Sequence, residues 1–449
     1  MKIVLFDVKP ASSNSKKCIN KDLAGGMGTG TWIGNSLRAR IFEWVKRKNV
    51  VLPVLTTAYL ASIFKKAGWE VEVASADENF NSSNRSGDLA LVSTSIVDCH
   101  NELEVIKVLR KNGFYVGAYG AFASSVPDFF AGEADFVIKG EPEAGALKII
   151  SEKELPRGVF EVEPIKNLDK LPFPDWSYFP INKYSYFPAL TDKPVVLMLA
   201  SRGCPYSCAF YCAYPLLMGR KWRARSVDNI IGEIEFLKNN YGIRAIDFRD
   251  PVFTLDRERA RSFAESLLKK NIKISWSCET RLDCLDKDLL KVMRQAGLKN
   301  INVGIESYDS EILKKSNRLP VEQKHQEEII SFCRKLGITM AAFYILGLEN
   351  DTEENIKRTI NYAKSLNTLV AQFAINTPYP GTALFDKLKE EGNITNFEWE
   401  NYDEYTPVFR HKFLSQQKLL DLKEEAFVSY YFRPSYLLRY MPIFLKKFL

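Results

Sequence analysis

CPYSCAFYC, residues Cys204 to Cys212, places three cysteines, Cys204, Cys208 and Cys212, on one short stretch. An apolar run from Val195 to Ala200 precedes it and predicts a strand, and the pair Arg202-Gly203 predicts a sharp turn between the two. Three thiolates on a loop at the mouth of a strand can hold three irons of a cubane cluster and leave the fourth iron open. No fourth cysteine lies close by. A cluster with an open iron does chemistry on a bound ligand, whereas a fully ligated one mainly moves electrons.

Plainer uses of the thiols fit less well. The chain starts MKIVLFDV, a charged strand start with no long apolar segment, so an export signal is not expected. Eight cysteines in 449 residues is far from disulfide density, and Cys18, Cys99, Cys278, Cys284 and Cys333 are scattered. A structural zinc site wants cysteine pairs two residues apart with a second pair or histidines, and no such partner pair is present. The thiol chemistry predicts a reducing, cytoplasmic setting.

From about Val195 to about Phe385 the chain resembles the radical S-adenosylmethionine (SAM) enzymes, whose core is a partial barrel of six βα units with the cluster on the loop after the first strand. The family spaces its triplet three and then two residues apart. Here the second gap is three, because Tyr211 stands where the third cysteine is expected and Cys212 follows. Either the loop carries a one-residue insertion and Cys212 still ligates, or the third site is remodelled. Loops absorb single insertions readily, so an intact 4Fe-4S cluster on Cys204, Cys208 and Cys212 is expected.

The remaining barrel strands are expected at Ile243–Phe248, Ile272–Cys278, Asn300–Ile305, Ile338–Leu346 and Val370–Asn376, and a helix of apolar periodicity at Arg257–Lys270. Polar residues follow the strands in FRDPVFT, ETRLD, GIES and YILGLENDT. Barrel enzymes keep their functional side chains on that rim. The resemblance implies that Asp250, Glu279, Arg281, Glu306, Ser307 and Gly347 contact SAM. It also implies an electron donor such as a flavodoxin or ferredoxin.

Residues 1–150 alternate strands (Lys2–Phe6, Val71–Ala74, Leu89–Ser93, Tyr115–Tyr119, Ala134–Ile138) with helices (Tyr59–Ala67, Asn101–Asn112), which predicts an open, doubly wound parallel sheet. Ligands bind such sheets beyond the C-terminal strand ends. TTAYLASIFKKAGWEVEVAS, FYVGAYGAFAS and ADFVIKGEPEA are similar to the cobalamin domain that precedes the barrel in one large class of radical SAM enzymes. That resemblance implies cobalamin contacts at Ser93, Thr94, Ser95, Gly120, Ala121, Ser124 and Glu141. The Asp-x-His-x-x-Gly sequence that gives cobalt a histidine in other cobalamin modules does not occur. His100 is the one histidine near a suitable edge, and a cobalt without a protein imidazole is expected. GGMGTGTWIG, Gly25 to Gly34, lacks the Gly-Lys-Ser/Thr ending of a phosphate loop and reads as a loop over cobalamin or substrate.

The fold class is therefore α/β: a Rossmann-like sheet (1–150), a linker rich in proline and aromatics (151–192), a radical SAM barrel (193–390) and a small helical C-terminal region (391–449). That last region holds a helix near Ser415–Tyr431 and then RPSYLLRYMPIFLKKFL, apolar and basic but too short and charged to span a membrane. It reads either as packing against the barrel or as peripheral contact with an anionic membrane. With 62 basic against 55 acidic residues, the charge excess is too mild to argue for nucleic acid. The implied activity is cobalamin-dependent methylation of an unactivated carbon in a small-molecule or lipid substrate. A cyclase, rearrangement or carbon–carbon coupling enzyme of the same architecture and a non-catalytic iron–sulfur protein are the alternatives.

Overall fold

Short apolar runs alternate with amphipathic segments along this chain, and they assemble into two parallel sheets of six strands each. Parallel neighbours need a crossover long enough to hold a helix, which the intervening segments supply. The computed structural model describes residues 1–10, 21, 23–76 and 89–445; Cys18 lies outside them.

The N-terminal unit runs β1 (Lys2–Val8), α1 (Leu37–Asn49), α2 (Leu55–Lys66), β2 (Glu70–Ala76), β3 (Leu89–Ser93), α3 (Cys99–Lys111), β4 (Tyr115–Tyr119), β5 (Phe136–Lys139), α4 (Pro142–Glu152) and β6 (Gly158–Glu161). In space the strands lie in the order β2-β1-β3-β4-β5-β6. Every pairing is parallel. The direction of winding reverses between β1 and β3, the switch point where doubly wound sheets bind ligands. Both sheet faces are covered: Ile3 and Leu5 join one core while Val4 and Phe6 join another. Strand β6 falls within the segment expected to be linker, so the unit continues to Glu161 rather than stopping at residue 150.

The rest of the linker is ordered. The Asp175 backbone N–H donates to the Ala58 carbonyl of α2, and its carboxylate accepts from Lys65 of α2 and from the Tyr241 hydroxyl. Trp176 beside it is fully buried.

The second unit runs β7 (Val195–Met198), α5 (Val227–Tyr241), β8 (Ala245–Phe248), α6 (Arg257–Lys269), β9 (Ser275–Thr280), α7 (Lys287–Gln295), β10 (Leu298–Glu306), α8 (Gln323–Lys335), β11 (Thr339–Leu346), α9 (Glu353–Leu366), β12 (Val370–Ile375) and α10 (Ala383–Glu390). Its strands neighbour one another in chain order, and β7 and β12 are the two edges. The sheet is thus a barrel left open on one side. Side-chain caps start the helices: Ser226, Asp256, Asp286 and Thr382 each accept a backbone N–H, and Thr352 with Asn355 forms a capping box.

Two further helices, α11 (Gln416–Tyr431) and α12 (Pro434–Leu445), follow. The Tyr431 hydroxyl satisfies both the N–H and the C=O of Ala371 on edge strand β12, which removes an open pairing surface. Helix α1 has no counterpart in the sequence reading, whereas α12 falls on the apolar, basic stretch of the C-terminal region. Ala39 is the one fully buried residue of α1, so little in its hydrophobic pattern marks it. Among the described residues no helix is long and apolar enough to cross a membrane.

Candidate functional site

The cysteine loop is fixed before and after the thiols. Ser201 and Arg202 pair antiparallel with Arg223 and Ala224, closing the loop like a clasp. Gly203 has φ +85°, and a Cβ there would lie 2.2 Å from the Lys221 carbonyl oxygen, so only glycine fits. The Arg202 guanidinium donates to Glu141 at 2.9 Å and to both carboxylate oxygens of Glu143 at 2.8 and 3.0 Å. Arg223 reaches the other Glu141 oxygen at 2.6 Å. All four side chains are buried. This network bolts both legs of the loop to the start of α4 in the other unit. Glu141 was expected to touch cobalamin; its carboxylate is instead held by these two arginines.

The extra residue in the triplet is absorbed by a tight turn at Ser207–Phe210, after which the Cys212 N–H donates to the Cys208 carbonyl at 3.0 Å. Cys204, Cys208, Tyr211 and Cys212 all line one cavity of about 690 Å³. Burial pushes the Cys204 and Cys212 thiols up, and the neighbouring sulfurs push further in the same direction. Such thiols ionise when a metal's positive charge draws them. Among the described residues, the only group of histidine, cysteine or acidic donors within 4.8 Å of one another is Cys99, His100 and Glu400. The three loop thiols instead open together into the cavity, and an all-sulfur donor set of three fits an iron–sulfur cluster with one iron left open.

Three carboxylates and four cations line the same cavity: Glu279, Arg281, Glu306 and Arg249 at strand ends, with Lys46, Arg318 and Glu404 from other segments. Glu306 takes φ +64° at a register shift in β10, an uncommon backbone for a side chain of that size. That conformation brings its carboxylate 3.2 Å from Arg318. Burial raises the Glu306 pKa, with Arg318 and then Arg281 opposing. Glu279 lies 3.6 Å from Arg249, and burial pushes it up to about 7. Glu404 is also raised by burial to about 7, against the charge of Lys46. Burial lowers Lys46 itself to about 8. Near-balanced opposite charge in a desolvated pocket suits a zwitterionic ligand such as SAM. Lys46, Arg249, Arg318 and Glu404 escape sequence reasoning because they come from four separate segments.

Three expected SAM residues line this cavity and three do not. Glu279, Arg281 and Glu306 do, with Arg281 gripping Asp283 through two hydrogen bonds of 2.9 Å and lying over the Tyr206 ring at 4.3 Å. Asp250 is fully buried and accepts from the Ala200 N–H and the Ser201 hydroxyl, so it fastens the strand that leads into the cysteine loop. The Ser307 hydroxyl accepts from the Asp309 N–H in a turn. Gly347, at φ +81°, packs under Leu419 of α11, which a Cβ would meet at 2.9 Å.

At the N-terminal sheet, Ser93, Thr94, Gly120 and Ala121 line a second, small crevice of about 60 Å³ facing Tyr214, Leu217 and Met218. Ser95 is turned away, its N–H and hydroxyl both donating to Glu102. The Ser124 hydroxyl accepts from the Gly140 N–H. His100 lines neither cavity; its ring sits by Cys99, Glu400 and Phe129. The small side chains at the strand ends are of the type a corrin needs, but the space is not. The crevice is less than a tenth of the main cavity, and Gly25 and Gly26 of the turn at Gly25–Gly28 line it. The Cβ that Gly25 lacks would lie 3.0 Å from Tyr214.

Residues 198–363 match the Radical SAM superfamily. The chain is 27% identical over 371 residues to an uncharacterized methyltransferase of Pyrococcus horikoshii, covering 78% of this chain and 79% of that one. It is 30% identical over 300 residues to the anaerobic magnesium-protoporphyrin IX monomethyl ester cyclase of Rubrivivax gelatinosus, covering 63% of this chain and about half, 52%, of the cyclase. Among solved structures, the radical SAM methyltransferase TsrM from Kitasatospora setae, with cobalamin and a 4Fe-4S cluster bound, has the same fold. Its TM-score is 0.64 at 17% identity, over 87% of this chain and 78% of that one. Residues 198–363 thus carry a Radical SAM superfamily domain, and over most of its length the chain is similar to a protein named as a methyltransferase and shares the fold of TsrM.

Proposed function

We propose that the chain cleaves SAM reductively and uses the resulting radical to methylate an unactivated carbon of a small, largely apolar substrate. The observation that supports this most is the opening of three thiols of one loop into a cavity that carries Glu279, Glu306, Arg249 and Arg318 on its wall. Cys204, Cys208 and Cys212 hold the cluster; Glu279, Glu306, Arg281 and Arg318 orient SAM against it; Ser93, Thr94, Gly120 and Ala121 border the cobalamin site. A reduced cluster supplies the electron that cleaves SAM to a 5′-deoxyadenosyl radical, and cobalamin, when bound, supplies a methyl carrier. The protein's own part is positioning and exclusion of water. Arg202 and Arg223, through Glu141 and Glu143, keep the loop in place. Phe343, Tyr344, Phe427 and Tyr431 dry the cavity beyond the charged wall, where a radical must not meet solvent. Gly25 and Gly26 line the same crevice, so a corrin that carries the methyl group to these strand ends requires that turn to move.

A second reading, ring closure rather than methyl transfer, is favoured by the similarity to the Rubrivivax gelatinosus cyclase. Anaerobic incubation of reconstituted protein with methyl-deuterated SAM and candidate apolar substrates separates the two. Deuterated methyl in the product is expected for the first; 5′-deoxyadenosine with an unmethylated, altered product supports the second. Neither product from a protein with full iron content overturns both.

A further inference from the structure

The main cavity has a second end, apolar where the first is charged. Ile41 of α1 and Leu437 and Met441 of α12 line it and are at the same time 47%, 36% and 47% exposed. Residues that both line a cavity and face solvent mark its mouth. Helix α1 is anchored beside this mouth on the end of α11, which leads into α12: Arg38 lies over the Phe432 ring at 5.7 Å, and Phe42 packs at a tilt on Tyr431 with centroids 4.2 Å apart.

The surface around the mouth is unlike the rest of the molecule. Leu37, Ile41 and Trp44 are spaced four and then three residues apart, so they form one stripe on α1, and it faces solvent at 74%, 47% and 58% exposure. On α12, next to the mouth residue Leu437, Leu438 is 82% exposed. Single exposed leucines are ordinary, but a contiguous group that rims an apolar cavity marks a binding surface. The charges flanking the group are mainly basic: α1 exposes Arg38, Arg40 and Lys48, α12 carries Arg439, and Glu43 is the one acid on the two helices.

We infer that α1 and α12 form a docking face for an anionic lipid bilayer, and that the mouth between them takes an amphiphilic substrate with a long apolar body from that bilayer. An apolar stripe bordered by cations is the pattern of helices that lie in a membrane interface. Acidic head groups complete the charge that the protein leaves unbalanced, which a second copy of this equally basic face cannot do. The cavity then orders its guest. The apolar body lies among Phe42, Phe427, Tyr431 and Phe444, and the reacting end reaches the charged wall beside the cysteines. The uptake of substrate rests on the proposed function; the docking does not.

The test uses the full chain with its cluster reconstituted, and the double variant Trp44→Glu/Leu438→Glu. Neither side chain lines the cavity. Co-sedimentation is measured with vesicles of phosphatidylcholine alone and with vesicles containing 30% phosphatidylglycerol. Binding is expected to the anionic vesicles only, to weaken in 1 M salt, and to fall about tenfold in the variant. Substrate-free cleavage of SAM to 5′-deoxyadenosine and the melting temperature should stay at wild-type values in the variant. Absence of binding to anionic vesicles, or equal binding by the variant, overturns the docking face. Concentration-dependent dimers in lipid-free buffer that the variant abolishes would assign the face to a second copy and overturn it too. Failure of SAM cleavage with vesicle binding intact strikes the proposed function and leaves the docking standing.

Discussion

The two sheets are built by the same rule, parallel strands joined by helices, yet they make opposite kinds of site. In the N-terminal sheet the winding reverses between β1 and β3, so it stays open, and its strand ends border a crevice of about 60 Å³ lined by Ser93, Thr94, Gly120 and Ala121. In the second sheet the strands follow one another in chain order, so the sheet curls and encloses about 690 Å³ edged by arginines and carboxylates. A curled sheet surrounds its ligand and can desolvate charge. An open one offers only an edge, which another element must cover. Here the Gly25–Gly28 turn and the helix that follows Cys212 cover it. The difference is one of strand order: one sheet encloses a desolvated, charged cavity, and the other offers strand ends with little space beyond them.

The strongest way to break that division is at the cluster loop. Cys204→Ala, Cys208→Ala and Cys212→Ala should each remove the cluster absorbance near roughly 400 nm and abolish SAM cleavage, as measured by iron content and 5′-deoxyadenosine release. Full iron and normal cleavage in Cys212→Ala would mean that the third ligand is not on this loop.

Next in size is the joint between the sheets. Arg202→Met leaves Glu141 and Glu143 buried beside Arg223 alone, and a lost partner in a buried ion network costs about 3–5 kcal/mol. The melting temperature should drop accordingly, and cluster retention should fall with it although no cysteine has changed. A variant as stable as wild type would show that the network does not hold the units together.

Corrin uptake sharpens the comparison from the open side. Ala121→Trp fills the crevice and should reduce cobalamin binding by at least about tenfold, while SAM cleavage by the barrel, which needs only the curled sheet, stays within about twofold. His100→Ala should leave the electron paramagnetic resonance spectrum of bound cob(II)alamin unchanged, because His100 lies by Glu400 and outside the crevice. Loss of a nitrogen splitting in that variant would place the histidine on cobalt after all.

The smallest effect concerns the desolvated charge. Burial raises Glu404 to about 7, so the folded state holds its proton more tightly than the unfolded chain does. Stability is therefore lost as pH rises from the ordinary carboxylate range through about 7, and the whole cost is present above that value. Glu404→Gln should melt higher than wild type at pH 8, by at most about 3 kcal/mol, with the gap closing towards pH 4.5. A variant that melts lower at pH 8 would show that attraction to Lys46 outweighs burial.

The local pattern of the chain carries the cysteine loop, the strands on either side of it and the alternation that makes both sheets parallel. Strands β3 and β4 are legible residue for residue as Leu89–Ser93 and Tyr115–Tyr119. Strands are apolar runs bounded by turn residues, and the thiols are chemically distinctive wherever they occur. Helix α1 was not legible, because Ala39 is its one fully buried residue while Leu37, Ile41 and Trp44 face solvent. Nor was the division of the polar strand-end residues. Asp250 and Glu279 both follow barrel strands, yet one hydrogen-bonds the neighbouring strand's backbone while the other faces the ligand space. Sequence by itself determined which groups this enzyme owns. Which carboxylates brace the loop, which face the cavity, and that two remote helices frame its mouth, only the tertiary structure decided, because each depends on partners from segments far apart in the chain.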